Sequence, residues 1–523
     1  MKSNLRHADS RTLNHIGHIS RRSMLRCAGW AAIGASAAAV LAACGDPELP
    51  KPPPASGRTA ASGSGPVTPV VAADEREATP QPGAPITIGV PTGNPLFDQV
   101  SLRVTGLAAD ATRTAEAPGD LSVVQFEQAL SFNATEIATA VEALLASHPQ
   151  LDAVLLLNAD LTLLLAARGH VAAVNGPAAS APDFNAGDFL PSAIDALTWD
   201  GDLFGIPLWT SVNLLQCNPE LLEDAGVDLE SLRDWDWDQF RDTARRLMQV
   251  DAAGNPSQWG LWIPPTMLPS QQWIWQNGGS VVDLEARQAV LDTTTALEAV
   301  QFLRDLANDD VSPKFEPDAS GEGAVAVQIT DGRMTIQGAP IAMSGTPIGG
   351  LLGGLFGGGS IGNPFGGGVL LAPPRRRVAA VESEVFGVLS LLTSSPNRDA
   401  AFRTLDWVAA QIAPAATVPA RGASAEQLRG QGGYGDADAG AIMQAVQAAR
   451  AIPGPYASPI KGALLQHVDG PMTLGQADPA EAITSAAAAI DELLEQSAEE
   501  ALSQTAGAGI QIGASSSTQV RGG

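Results

Sequence analysis

Three aspartates at alternate positions, Asp234, Asp236 and Asp238 in "DWDWDQF", have the spacing of the first ligands of a calcium loop. The glycine that such a loop needs at its sixth position is Gln239, so the acids read as the cap and first turn of a helix. "GGSIG" (358–362) matches the G-x-S-x-G pattern of a hydrolase nucleophile, with Ser360 at its centre. That elbow needs a strand before the serine and a helix after it, and the glycine-rich run at 349–368 offers neither. It reads instead as a mobile insertion or a sticky loop. Beyond position 43 the histidines are His148, His170 and His467, far apart and without metal-type spacing. H-E-x-x-H, C-x-x-C and G-x-x-x-x-G-K-S/T are all absent from the sequence. No metal or cofactor is expected, and binding without catalysis is the economical reading. An extracytoplasmic hydrolase remains the enzyme alternative.

The elements that would position a binding site are legible. "PITIGVP" (85–91), "LSVVQF" (121–126) and "LDAVLLL" (151–157) are short β-rich runs. "NATEIATAVEALLASHP" between the last two places Ile137, Val141, Leu144 and Leu145 on one helical face. Strand, helix and strand at this pitch predict an α/β fold with a parallel sheet. Ligands in such sheets sit beyond the carboxyl ends of the strands. That points to "PTGN", with Asn94, and to "NAD", with Asn158 and Asp160. Asp160 is the strongest polar candidate, and capping of "LTLLLAARG" is an equal explanation for it.

The chain has 523 residues, enough for two domains or more, and a net charge of −26. Six bases and one acid fall in residues 1–43, which leaves −31 for the remainder. Such a surface repels phosphate backbones, so nucleic acid is not an expected partner. The front reads "SRRSMLR", then 17 uncharged residues, then Cys44, which closes the stretch "LAAC". The apolar run is short for a bilayer span and suits a signal peptide. Arg21 and Arg22 resemble the twin-arginine pair of an export signal. "LAAC" resembles a lipobox, whose cysteine is diacylated and becomes the first residue of the mature protein. On this reading residues 1–43 are signal. Residues 44–84, dominated by Pro, Ala, Ser and Gly, are a disordered tether. Cys217 is left as a buried packing residue.

"GDLFGIPLWTSVNLLQCNPELLEDAG" followed by "WDWDQFRDTARRL" resembles the extracellular solute-binding proteins of ABC importers, the maltose-binding type. "WIWQNGG", "DGRMTIQGAP", "SSPNRDAAFRTLDWV" and "ADPAEAITSAAAAIDELL" continue the resemblance in family order, over about residues 85–495. It implies two α/β lobes joined by crossing strands, with a ligand cleft between them and closure about the crossings. Mapped here, one lobe is 85–206 plus 384–432 and the other 207–383 plus 433–500. Crossovers then fall near Pro207 and Glu384, and a flexible tail occupies 501–523. Trp209, Trp273, Trp275 and Tyr456 fall where the family lines its cleft, and a tryptophan face suits the C–H face of a sugar. The family also places a hydroxyl-binding acid where Asp160 stands. Core packing is the reading for Trp235, Trp237 and Trp259.

The departures are specific. Ala339 interrupts the family's G-P-W, and Leu157 stands where an aromatic precedes the strand-end acid. An acidic position near the first crossover falls on Ser211. Oligosaccharide binding therefore does not carry over from the resemblance. A different sugar, a polyol or a glycerophosphodiester fits equally. The expectation is a monomeric lipoprotein that hands a small polar solute to ABC permease subunits. The alternative is the same fold used as a sensor or scaffold.

Overall fold

The computed structural model describes residues 85–504, apart from 94, 112–118, 128–133, 263–268, 314–326, 331–332, 337–338, 341–342, 349–367, 413–417, 424–425, 427, 430–434 and 476. Arg21, Arg22, Cys44, Asn94, Ser360 and nearly all of the glycine-rich run lie outside the described residues.

The three apolar runs at the start form β1 (Ile86–Thr92), β2 (Leu121–Glu127) and β3 (Ala153–Asn158). β1 pairs in parallel with both of the others. The helix before β3 spans Ala134–Ser147 and buries Ile137, Val141 and Leu144, while Leu145 is half-buried. Two long strands follow much later in the chain and run through the middle of the sheet. They are β4 (Ile206–Cys217), buried at every position, and β5 (Val381–Leu391). β5 pairs antiparallel with β3 on one side and with β4 on the other. The far end of β4 pairs with Met343–Ile348 and Val369–Leu371. The sheet is therefore mixed.

These two strands pass from one apolar core to others. Ile206, Leu208 and Trp209 belong to a core built on β1 and β3, together with Val385, Phe386, Val388 and Leu389. Leu215 and Cys217 belong to a second core with Phe240, Trp273 and Ile460. Val212, Leu214 and Val381 join a third, under the helix Asp436–Gln447. Burial on both faces explains why β4 shows no regular alternation, with Thr210, Ser211, Asn213 and Gln216 buried among its apolar positions. Burial also raises the Cys217 thiol to about 12, so it packs as a small hydrophobe.

Elsewhere the local chemistry acts as its sequence suggests. Asp236 caps the helix Trp237–Leu247 by accepting from Gln239 N at 2.9 Å, and the Gln239 side chain returns the bond. Trp235 and Trp237 are buried in the second core. At the other end, the helix Ala498–Gln504 occupies the start of the expected tail, with Ala501 and Leu502 fully buried. Two alanines and a leucine at this spacing give the last turn an apolar face that the cores cover.

One position in the crossing strands tolerates no side chain. Gly387 has φ +67°, and a Cβ there would stand 2.5 Å from the Trp209 ring. The ladder keeps its register through this point, with Phe386 opposite Trp209 and Val388 opposite Pro207. Gly387→Ala combines left-handed backbone strain with overpacking against a buried indole. It is expected to cost about 2–4 kcal/mol in urea unfolding. A loss below about 0.5 kcal/mol would show that the strand relaxes freely at this point.

Candidate functional site

The cleft lies where the crossing strands leave the first core. β3 ends at Asn158, whose Oδ1 caps the helix α1 (Ala159–Ala167) by accepting from Leu161 N at 3.0 Å. The cap is thus Asn158, and the carboxylate of Asp160, one residue into the first turn, is left to do something else. Ser458 donates to its Oδ2 at 2.5 Å. Ser458 and Lys461 stand three residues apart on the helix α2 (Ala457–Leu464), so they share one face of it. Ile460 and Leu464 bury the opposite face in the second core. From β5, Glu382, Glu384 and Phe386 recur at the two-residue period that puts side chains on one face of a strand. Asn158, Asp160, Glu382, Glu384, Phe386, Ser458 and Lys461 line a single cleft of about 530 Å³, its open mouth included.

Its electrostatics are those of three carboxylates around one ammonium. Lys461 Nζ is in direct ionic contact with Glu384 and lies 3.5 Å from Glu382 Oε1. The surrounding acids outweigh the cost of burying the ammonium and hold it charged, above the ordinary lysine range. Lys461 in turn holds Glu384 below the ordinary carboxylate range. Glu382 is pushed the other way, chiefly by burial. It accepts from Gln271 Nε2 at 2.7 Å and Asn213 Nδ2 at 3.2 Å. Asp160 is also raised by burial, against the pull of Lys461 and the Ser458 hydroxyl.

The structure brings together only part of the set expected from the sequence. Asn158 and Asp160 line the cleft. Trp209 and Trp273 do not, since each is essentially without exposed surface, Trp209 against Gly387 and Trp273 among Trp237, Phe240 and Phe302. Trp275 sits on the helix Ser270–Gln276, every residue of which is buried. Tyr456 is buried too, its hydroxyl donating to Gln496 O at 2.9 Å and Arg287 stacked on its ring. All four expectations are corrected: these rings do core work and offer no face to a solute in this conformation. A large aromatic ring gains most from full burial, and the Tyr456 hydroxyl finds its partner inside the fold.

Sequence reasoning passed over Glu382, Glu384, Ser458 and Lys461. One signal was available. "VESEVF" sets two acids at alternate positions in a strand otherwise buried, which is costly unless a partner or ligand compensates. The missing acid at Ser211 also has its answer in the ladder, where Ser211 pairs directly with Glu384 on the neighbouring strand.

The sequence profile of the bacterial extracellular solute-binding proteins matches residues 131–411, more than half of the chain. The chain belongs to that family. An arabinooligosaccharide-binding protein of Halalkalibacterium halodurans is 30% identical over 120 residues, which cover 23% of this chain and 25% of that protein. The chain thus matches about a quarter of the length of this curated relative. An ABC substrate-binding protein of Listeria monocytogenes, solved in complex with cycloalternan, superposes with a TM-score of 0.55 at 19% identity. The match covers 79% of this chain and 99% of that one. UgpB of Mycobacterium tuberculosis, solved in complex with glycerophosphocholine, gives 0.55 at 16% identity over 79% and 98%. At these identities the likeness carries the fold, which is the two-lobed periplasmic-binding-protein architecture with a cleft between lobes joined by crossing strands.

Behind the cleft, Asp469 ends the π-helical turn Leu465–Asp469 that follows α2 and accepts from Ser270 N at 2.7 Å. Burial pushes its carboxyl up to about 8. A carboxyl raised on folding keeps its proton in the native state after the unfolded chain has lost its own. The stabilisation is complete below the unfolded value near 4 and lost as pH rises through about 8. Asp469→Asn removes this titration. Between pH 5 and pH 8.5 the native protein is expected to lose at least about 1.4 kcal/mol more than the variant, the worth of one pKa unit. Urea unfolding at both pH values checks this, and an identical loss in the two proteins would contradict it.

Proposed function

We propose that the protein is an extracytoplasmic solute receptor that captures a small hydroxylated compound, a sugar or a close analogue, and delivers it to an ABC permease. The observation that carries this is the polar cleft at the crossing strands. Carboxylates from α1 and β5 face an ammonium and a hydroxyl from α2, which is rooted in a different apolar core. Asp160 and Glu384 accept hydrogen bonds from solute hydroxyls, and Lys461 and Ser458 can donate them. Phe386 and Ile452 supply the apolar patch on which a ring's C–H face rests. Contacts made to both sides at once favour the closed state, which is how a solute drives hinge closure. Family membership and the sugar-binding relatives support the solute class, and the relatives are themselves named as binding proteins rather than enzymes.

The front of the chain supports an anchored receptor. Export through the twin-arginine signal and diacylation at Cys44 would tie the protein to the outer face of the membrane, since two acyl chains suffice for stable anchoring. Residues 44–84 would then give the receptor reach as a monomer on a tether. Cys44→Ala is expected to move the processed protein from the membrane to the soluble fraction, and retention in the membrane would overturn the anchor.

The receptor reading is tested by thermal unfolding in the presence of neutral mono- and oligosaccharides, polyols and glycerophosphodiesters. A cognate solute at 100 times its Kd adds about 2.7 kcal/mol to stability and raises Tm. Asp160→Asn is expected to reduce that shift, leaving the unliganded Tm within a few degrees. The absence of any shift at millimolar concentrations across the whole set would overturn the reading.

A further inference from the structure

The cleft holds more negative charge than its own residues neutralise. Asp160, Glu382 and Glu384 converge on it, whereas Lys461 is the only basic residue that lines it. Lys461 is also the only lysine among the described residues. Its ammonium is already engaged by Glu384 and Glu382. Asp160 and Glu382 stay above the ordinary carboxylate range although Lys461 pulls both of them down, so one cation does not satisfy them. The carboxamide of Gln271, 1% exposed and bonded to Glu382 through Nε2, leaves its Oε1 without a hydrogen-bond partner. An unpaired buried acceptor is costly and rare in native proteins. Gln271 does not itself line the cleft, so its bond acts on a solute only through Glu382.

A neutral sugar can donate hydroxyl hydrogens to these acceptors and brings no charge. A sugar acid or phosphate adds repulsion, and it can recruit Lys461 only by stripping that lysine from two carboxylates. An ammonium on the solute does the opposite: it gives the carboxylates a second cation and further donors.

We propose that the cleft selects a solute bearing a protonated amine on a hydroxylated frame, an amino sugar or an amine-bearing polyol, and rejects anionic sugars. The proposal rests on the receptor reading above and narrows its substrate class.

The test compares matched neutral, amino and uronic acid forms of glucose, galactose and their β-linked disaccharides by calorimetric titration of the whole protein. The amino form is expected to bind at least ten-fold tighter than its neutral counterpart, and the uronic form at least ten-fold weaker. The amine's advantage is expected to shrink as salt rises from 20 to 300 mM, about the range over which the Debye length falls several-fold. Glu384→Gln, checked for native Tm, removes a carboxylate and frees Lys461. The preference for amine over acid is then expected to fall at least ten-fold. Equal binding of neutral and amino forms, a preference for the uronic acids, or an unchanged preference in Glu384→Gln would overturn this inference and leave the receptor reading standing. Failure of every member of the series to bind would overturn this inference, and the receptor reading falls with it only if the wider thermal screen also shows no shift.

Discussion

The pairing of Ile206–Cys217 with Val381–Leu391 is the constraint on which the rest depends. Each strand contributes to more than one apolar core, so each must be apolar along most of its length and buried on both faces. Such a pair cannot slide by one residue without turning every side chain to the wrong face. The left-handed Gly387, with the Trp209 ring closed over it, pins the alignment. The same register sets Glu384 opposite Ser211 and Glu382 within reach of Asn213. The place where polar groups enter the ladder is therefore fixed by apolar packing on either side of it.

Building the acid–lysine cluster at that junction carries an energetic cost. Removing several charges from water is expensive, and their attraction returns the cost only when geometry and hydrogen bonding are good. Here the return is uneven. Glu384 has the closest contact with Lys461, while Glu382 shares that lysine at 3.5 Å and is otherwise held by neutral amides, and Asp160 is held by a serine hydroxyl. Apolar residues of similar volume would fill the space more cheaply. Retention of a half-compensated cluster at the mouth of a cleft is what a binding surface demands, because groups fully satisfied within the protein have nothing left to offer a solute.

The sheet was legible because β1, β2 and β3 are short apolar runs bounded by turn-formers, with a helix of clear periodicity between two of them. The crossing strands were legible through their motifs rather than their periodicity, since full burial erases alternation. Asp160 was legible from its place after β3, and the competing explanation, a helix cap, turned out to belong to its neighbour Asn158. The aromatic platform was not legible, because a tryptophan near a strand crossing looks the same in sequence whether it faces a cleft or a core. Trp209 and Trp273 lie in cores because packed rings or a bare glycine surround them, and those neighbours come from 29 to 178 residues away. Lys461 was hidden for a related reason. Only the fold brings a helix near the end of the chain up to the first turn of α1, and a lone lysine on an amphipathic helix ordinarily marks a solvated face.

The contacts that define the cleft also oppose its use. Ser458 joins Asp160, and Lys461 joins Glu384, directly across the space a solute would occupy. A solute that enters must replace these bonds with its own, so the free energy seen as affinity is the surplus over contacts the protein already makes with itself. That surplus is small for a solute that offers only hydroxyls to groups already hydrogen-bonded. It grows when the solute supplies what the empty arrangement lacks, which is positive charge beside Asp160 and Glu382. The internal bonds thus act as a filter: they hold the two sides together without a solute, and they yield most readily to one whose charge the carboxylates prefer to their own partners.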